Sequence, residues 1–188
     1  MSPLPRGSYS LSSMNDTRNI LDKYKGWETD LVREDVQRNV FPFSVCMINL
    51  NYDFNFSTVL RNANAFGAKH VYYLSGSRRF DKRGAVGTNH YTMFSHIPDF
   101  NSFVALSANF NCVAVELVPE AIPMDSFEWP DNPVLMVFGS EGNGLSKEVL
   151  DICPYKVYIP MHGSVRSLNT ACASAIAMND YVTKYKNL

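Results

Sequence analysis

Apolar positions along the chain follow two rhythms. Short, largely unbroken apolar runs occur at Val45 to Leu50, Val71 to Leu74, Cys112 to Leu117, Val134 to Phe138 and Lys156 to Ile159, and each reads as a strand. The run Val134 to Phe138 has no polar alternation, as a strand covered on both faces requires. Between these runs the spacing turns helical. It predicts helices over Asn55 to Phe66 (stopped by Gly67), Asp99 to Ala108, Leu145 to Ile152, and Leu168 to about Tyr185. Strands alternating with helices imply an α/β fold, a mostly parallel sheet with helices on both faces.

The segments outside this alternation set the organisation. Residues 1 to about 15 are rich in Ser, Pro and Gly and read as a flexible lead-in. Asp16 or Thr17 could cap a helix in the next segment, where Ile20, Tyr24, Trp27, Leu31, Val32 and Val36 give a broken helical period interrupted by Gly26. Two short helices are expected there, ending at Phe41, Pro42 and Phe43, because the residue before proline avoids the helical region. Residues 1–40 are therefore read as a leader with a short helical extension, and 41–188 as one domain. Ser75 to His90 and Pro119 to Pro133 read as loops.

Composition narrows the class. The 188 residues are 46% apolar and 19% charged, enough for a sizeable core, and 17 Lys+Arg against 18 Asp+Glu give a net charge of −1. No global basic field is present, so any nucleic-acid contact must come from local clusters. Cys46, Cys112, Cys153 and Cys172 form no C-x-x-C pair and read as reduced core residues. His90, His96 and His162 have no metal-ligand spacing, and no metal is expected. The start lacks an apolar signal region and no run approaches the ~20 residues of a membrane span, so a soluble, cytoplasmic chain is expected.

Chemistry concentrates in three segments. In the first, Phe56, Val59, Leu60 and Ala63 make the core stripe of a helix, Ser57, Arg61 and Asn64 fall on the opposite face, and Asn55 sits where an N-cap belongs. Taken alone, this could be an ordinary amphipathic helix. In the second, the buried strand ending at Phe138 runs into Gly139, Ser140, Glu141, Gly142, Asn143 and Gly144, then a helix. Ligands of open α/β sheets bind at the carboxyl ends of strands, and glycines let them approach the backbone. Gly139 and Gly144 have P-loop spacing, but Leu145 stands where lysine is required and Glu141 would repel phosphate. The dinucleotide fingerprint fails as well, because the loop reads G-x-x-G-x-G. An acid without a lysine suits a ligand with no phosphate and a positive charge, such as S-adenosylmethionine. In the third, a polar loop from Tyr158 to Ser167 precedes a helix crowded with Ala171, Ala173, Ser174, Ala175 and Ala177, for which Ser167 is the expected N-cap.

In this order and spacing, the three segments resemble the signature motifs of the SPOUT superfamily, in its SpoU/TrmH-type branch of RNA ribose methyltransferases. The likeness runs from about Phe43 to Tyr181. It implies a SPOUT-type α/β sheet whose C-terminal segment threads a deep trefoil knot, an S-adenosyl-L-methionine cofactor, and a homodimer with the active site completed across the interface. It also implies cofactor contacts from Gly139, Ile159, Met161 and Leu168, and a catalytic set of Arg61, Asn55, Glu141, Ser167 and Asn169. The substrate implied is the ribose 2′-hydroxyl of a structured RNA, tRNA ahead of rRNA. A SPOUT enzyme acting on a base and an inactive knotted RNA-binding module are the alternatives.

The branch commonly has Asn-Pro where Tyr52 and Asp53 stand, and Gly where Ser57 stands. No separate RNA-binding domain is expected, so RNA contact is expected from the cluster Arg78, Arg79, Lys82 and Arg83, with Arg166 adding a phosphate contact.

Overall fold

A computed structural model describes residues 16–48, 54–76 and 81–186. Within them a seven-stranded sheet has the order β3-β2-β1-β6-β4-β7-β5. The strands are β1 (Phe41–Ile48), β2 (Ala68–Leu74), β3 (Phe94–Ile97), β4 (Asn111–Val115), β5 (Ile122–Pro123), β6 (Val134–Phe138) and β7 (Tyr155–Tyr158). All its strand pairings are parallel. The helices are α1 (Thr29–Arg38), α2 (Phe54–Ala65), α3 (Phe100–Ser107), α4 (Lys147–Ile152) and α5 (Thr170–Tyr185).

Side-chain alternation sorts the core into two layers. Phe43, Val45 and Met47 of β1 join Val134, Met136 and Phe138 of β6 on one face, under Phe56 and Leu60 of α2 and Ala177 and Met178 of α5. Cys46, Ile48, Leu135 and Val137 point the other way, onto Phe103 of α3 and Val149 of α4. β1 and β6 are thus buried on both faces, which explains their unbroken apolar runs. The helix α5 comes close to α2 because Ala171, Ser174 and Ala177 are small and buried, and Asn62 donates to the Ala171 carbonyl at 2.8 Å.

Several elements differ from the sequence reading. Phe41, Pro42 and Phe43 open β1 instead of ending a helix, with a register irregularity between Phe41 and Ser44 that accommodates the proline. β3 and the two-residue β5 lie inside segments that lack a strand-length apolar run. Asn55 lies inside the first turn of α2 and is not its N-cap. Ser57, placed on the solvated face by periodicity, is buried and donates its hydroxyl to the Asp81 carbonyl, because the 81–90 segment packs over that face. Three cysteines are buried, but Cys172 is exposed on α5.

The N-terminal extension forms its own small cluster. A 3-10 turn at Asp22–Tyr24 and the helix α1 bring together Tyr24, Val32 and Tyr91, with Ile20, Trp27 and Val36 against them. Asp16 does not cap a helix; it accepts from the Arg18 guanidinium and from the Gly26 N–H at 3.0 Å. No helix among the described residues is long and apolar enough to cross a membrane.

Candidate functional site

A pocket opens at the carboxyl ends of the neighbouring strands β6, β4 and β7, where open parallel sheets place ligands. All of the expected cofactor residues, Gly139, Ile159, Met161 and Leu168, line it. Glu141, Ser167 and Arg166 line it as well. It encloses about 150 Å³, below the roughly 300–1,000 Å³ typical of small-molecule sites. Arg166 and Ser167, at the end of the exposed stretch from His162 to Ser167, form part of its wall.

The glycine loop is held by its own backbone. A Cβ on Gly139 would lie 2.2 Å from the Gly144 carbonyl carbon, so the two loop ends touch where only glycine fits. Gly144 has φ +61, a left-handed conformation, and donates its N–H to the Ser140 carbonyl at 2.9 Å. These glycines allow the loop to close on itself at the edge of the pocket that both of them line. Glu116, just past β4, completes the support. Its carboxylate accepts from the Leu145 N–H at 3.0 Å and from the Leu117 N–H at 3.1 Å, and it faces the pocket. Glu116 was missed in the sequence because a single acid after an apolar strand carries no motif.

Beside the pocket, the motif residues meet in a closed polar triangle. Asn55 Nδ2 donates to Glu141 Oε1 at 3.1 Å, Asn169 Nδ2 donates to Asn55 Oδ1 at 3.0 Å, and Asn169 also donates to Glu141 Oε1. Asn169 is the N-cap of α5, its Oδ1 accepting from Ala171 and Cys172 N–H at 3.0 and 3.2 Å. Ser167, the expected cap, lies two residues too early and lines the pocket instead. The cap geometry and the triangle use both ends of the Asn169 amide, which fixes its orientation.

Arg61 is not part of this group. It is exposed on α2 and lines a separate cleft against the N-terminal extension. Among the described residues it makes no hydrogen bond or ion pair. Of the expected RNA-binding cluster, Arg78 and Arg79 lie outside the described residues. Lys82 is exposed, and Arg83 is paired with Asp81, holding that carboxyl below the usual carboxylate range. Arg166 is exposed at the pocket rim. No group of His, Cys, Asp and Glu among the described residues could hold a metal ion.

Comparison with known proteins bears on this arrangement. Residues 42–179 match the model of the SpoU rRNA Methylase family. The tRNA (guanosine(18)-2′-O)-methyltransferase of Aquifex aeolicus is 28% identical over 153 residues, covering 78% of this chain and 72% of that protein. The enzyme of the same name from Escherichia coli strain K12 is 27% identical over 148 residues, covering 77% of this chain and 64% of its own length. The crystal structure of the A. aeolicus TrmH/SpoU tRNA modifying enzyme superposes with a TM-score of 0.74 at 23% identity, covering 85% of this chain and 83% of that one.

Proposed function

The chain belongs to the SpoU rRNA methylase family, and from that premise we propose that it is an S-adenosyl-L-methionine-dependent methyltransferase acting on a ribose 2′-hydroxyl of RNA, tRNA ahead of rRNA. The tRNA preference rests on the named activity of its relatives, of which it spans only 72% and 64%. The observation that carries the reading is the Asn55–Glu141–Asn169 triangle beside a lysine-free glycine pocket.

The residues of the pocket fit the cofactor. Glu116 and Glu141 put carboxylates around it, complementary to a sulfonium and an ammonium. No lysine lines it, as suits a ligand without phosphate. Gly139, Ile159, Met161 and Leu168 would hold the nucleoside with backbone groups and apolar side chains. When bound, S-adenosylmethionine supplies a methyl group made electrophilic by its positive sulfur.

The protein's own part is positioning and charge. The triangle holds Glu141 and Asn55 rigidly where a ribose would meet the pocket, and such pre-positioning can account for much of a methyl transfer. Ser167 and Asn169 complete the wall. A guanidinium stays protonated at ordinary pH, so Arg61 acts by stabilising the developing alkoxide while a phosphate takes up the proton. Within one chain Arg61 faces another cleft, so this role calls for a second protomer. A homodimer is supported by the exposed face of α5 at Cys172 and Ile176, the latter 41% exposed. The knotted threading of the C-terminal segment, the division at residue 40, a cytoplasmic location, and phosphate contacts from Arg78, Arg79, Lys82, Arg83 and Arg166 belong to the same reading.

Calorimetric titration with S-adenosylmethionine tests it. Saturable one-to-one binding per chain is expected, and no heat at millimolar cofactor would remove the enzyme reading.

A further inference from the structure

Glu116 and Glu141 both line the glycine pocket, and the structure holds them differently. Glu141 is exposed, and its Oε1 is taken up by the amides of Asn55 and Asn169. Glu116 is half-buried just past β4, where solvent and salt screen a charge less. Each of its oxygens accepts a backbone N–H, Oε1 from Leu117 at 3.1 Å and Oε2 from Leu145 at 3.0 Å. A Cβ on Gly144 would lie 2.6 Å from Oε2, so glycine at that position leaves room for the carboxylate. The side chain is thereby clamped between the end of β4 and the glycine loop, with its charge at the pocket wall.

This clamp leaves Glu116 with capacity to spare. An ionised carboxylate offers about four lone-pair sites, more than the two backbone donors occupy. Among the described residues, Arg166 is the one cation in the lining, and it stands exposed at the rim, paired with neither acid. The pocket is therefore negative inside walls that include Leu117, Phe138 and Leu168. A cavity of about 150 Å³ is small beside the ~8 Å screening length of physiological salt. A positive charge seated in it is attracted by Glu116.

S-adenosylmethionine is a net cation because of its sulfonium. Methyl transfer leaves the electron pair of the broken carbon–sulfur bond on sulfur, the methyl group goes to the ribose oxygen, and that oxygen's proton leaves. The product, S-adenosylhomocysteine, keeps nearly the same shape and is net neutral. We propose that Glu116 is a specificity-determining residue that makes the pocket respond to the charge on the cofactor sulfur, favouring S-adenosylmethionine over S-adenosylhomocysteine. The proposal rests on the cofactor reading above and goes beyond support of the loop: the attraction disappears with the transferred methyl group, which weakens the hold on the product.

The test is calorimetric titration of the whole chain with S-adenosylmethionine, S-adenosylhomocysteine and sinefungin, in which an amine-bearing carbon keeps a positive charge where the sulfonium stood. Glu116→Gln should weaken both cations about tenfold relative to S-adenosylhomocysteine, as the loss of one partly screened charge pair requires. Glu116→Asp keeps the charge but shortens the reach to the Leu145 N–H, so it should keep the wild-type ratio even where all affinities fall. Support of the loop alone would weaken all three ligands equally in Glu116→Gln, and that result overturns the proposal. Wild type also answers without any variant. Raising sodium chloride should erode its affinity for the two cations and spare the neutral product, because salt screens a charged pair; a preference that stays flat across the series overturns the proposal too. The cofactor reading fails separately: wild type that binds none of the three ligands removes it, whereas binding of all three with no response to charge removes only the role of Glu116.

Discussion

The Asn169 amide donates to the Asn55 amide oxygen at 3.0 Å, across 114 positions of sequence. This bond ties the start of α5 to the start of α2 at the edge of the glycine pocket. Because the opposite end of Asn169 caps α5, helix stability and site geometry share one side chain.

That sharing can be separated by substitution. Asn169→Ala should lose both cap and triangle, costing about 0.5–2 kcal/mol of stability and most of the methyl transfer. Asn169→Asp keeps a good capping oxygen but sets a second carboxylate against Glu141. It should unfold within about 1 kcal/mol of wild type yet lose activity comparably to the alanine variant. Urea denaturation beside turnover measures both; an active Asp variant would show that the amide donors are not needed.

Arg61→Ala should abolish methyl transfer and leave S-adenosylmethionine affinity intact, since Arg61 is absent from the pocket that holds Gly139 and Leu168. Calorimetry on the folded variant decides. Lost cofactor binding would put Arg61 in the pocket after all. Recovery of most activity in Arg61→Lys would favour simple charge stabilisation over guanidinium geometry.

Much of the site was legible in the sequence, for local reasons. A glycine loop after a buried strand leaves its mark in consecutive residues, and the pocket contains all four residues inferred from the motifs. Ser57 and Arg61 were harder. Periodicity gives the azimuth of a side chain on its helix but not what packs there, and the 81–90 segment covers Ser57 while leaving Arg61 open. β3 went unread because Phe94 to Ile97, at the sheet's edge, is four residues long and sets two polar residues between two apolar ones. The cap at Asn169 was taken for Ser167 because both residue types cap well, and only backbone geometry separates them.

Gly139→Ala should be the most disruptive loop substitution. Its Cβ would meet backbone at 2.2 Å, and backbone cannot yield as a flexible side chain does. A loss of about 1–3 kcal/mol or more is expected, with cofactor binding abolished. Gly142→Ala, which meets nothing within 4 Å, should behave as wild type. Equal thermal stability of the two variants would contradict this account of the loop.

Bound cofactor should order the outer wall of the pocket. Arg166 lies in the exposed stretch and offers a trypsin site. Cleavage after Arg166 should slow severalfold with saturating S-adenosylmethionine, read by mass spectrometry of the fragments. An unchanged rate would mean that this wall does not close on the ligand.

The N-terminal extension should loosen in acid. The Tyr24 hydroxyl donates to Asp35 at 2.8 Å, Lys23 adds an ion pair, and together they hold the Asp35 carboxyl below its usual range. A depressed pKa contributes stability above the unfolded value of about 3.9, and that stability is lost as pH falls through the folded value. The Trp27 indole NMR resonance should therefore lose its folded position in acid, with a flatter transition in Asp35→Asn. The same acid profile in both proteins would exclude Asp35 as the cause.

The central claim is methyl transfer to a ribose oxygen. The direct measurement is incubation of the chain with methyl-labelled S-adenosylmethionine and separated tRNA and rRNA pools, followed by alkaline hydrolysis. A 2′-O-methyl group removes the hydroxyl that attacks the neighbouring phosphodiester, so the label should appear in alkali-stable dinucleotides, from tRNA first. Label recovered only in mononucleotides would place the methyl on a base and contradict the account.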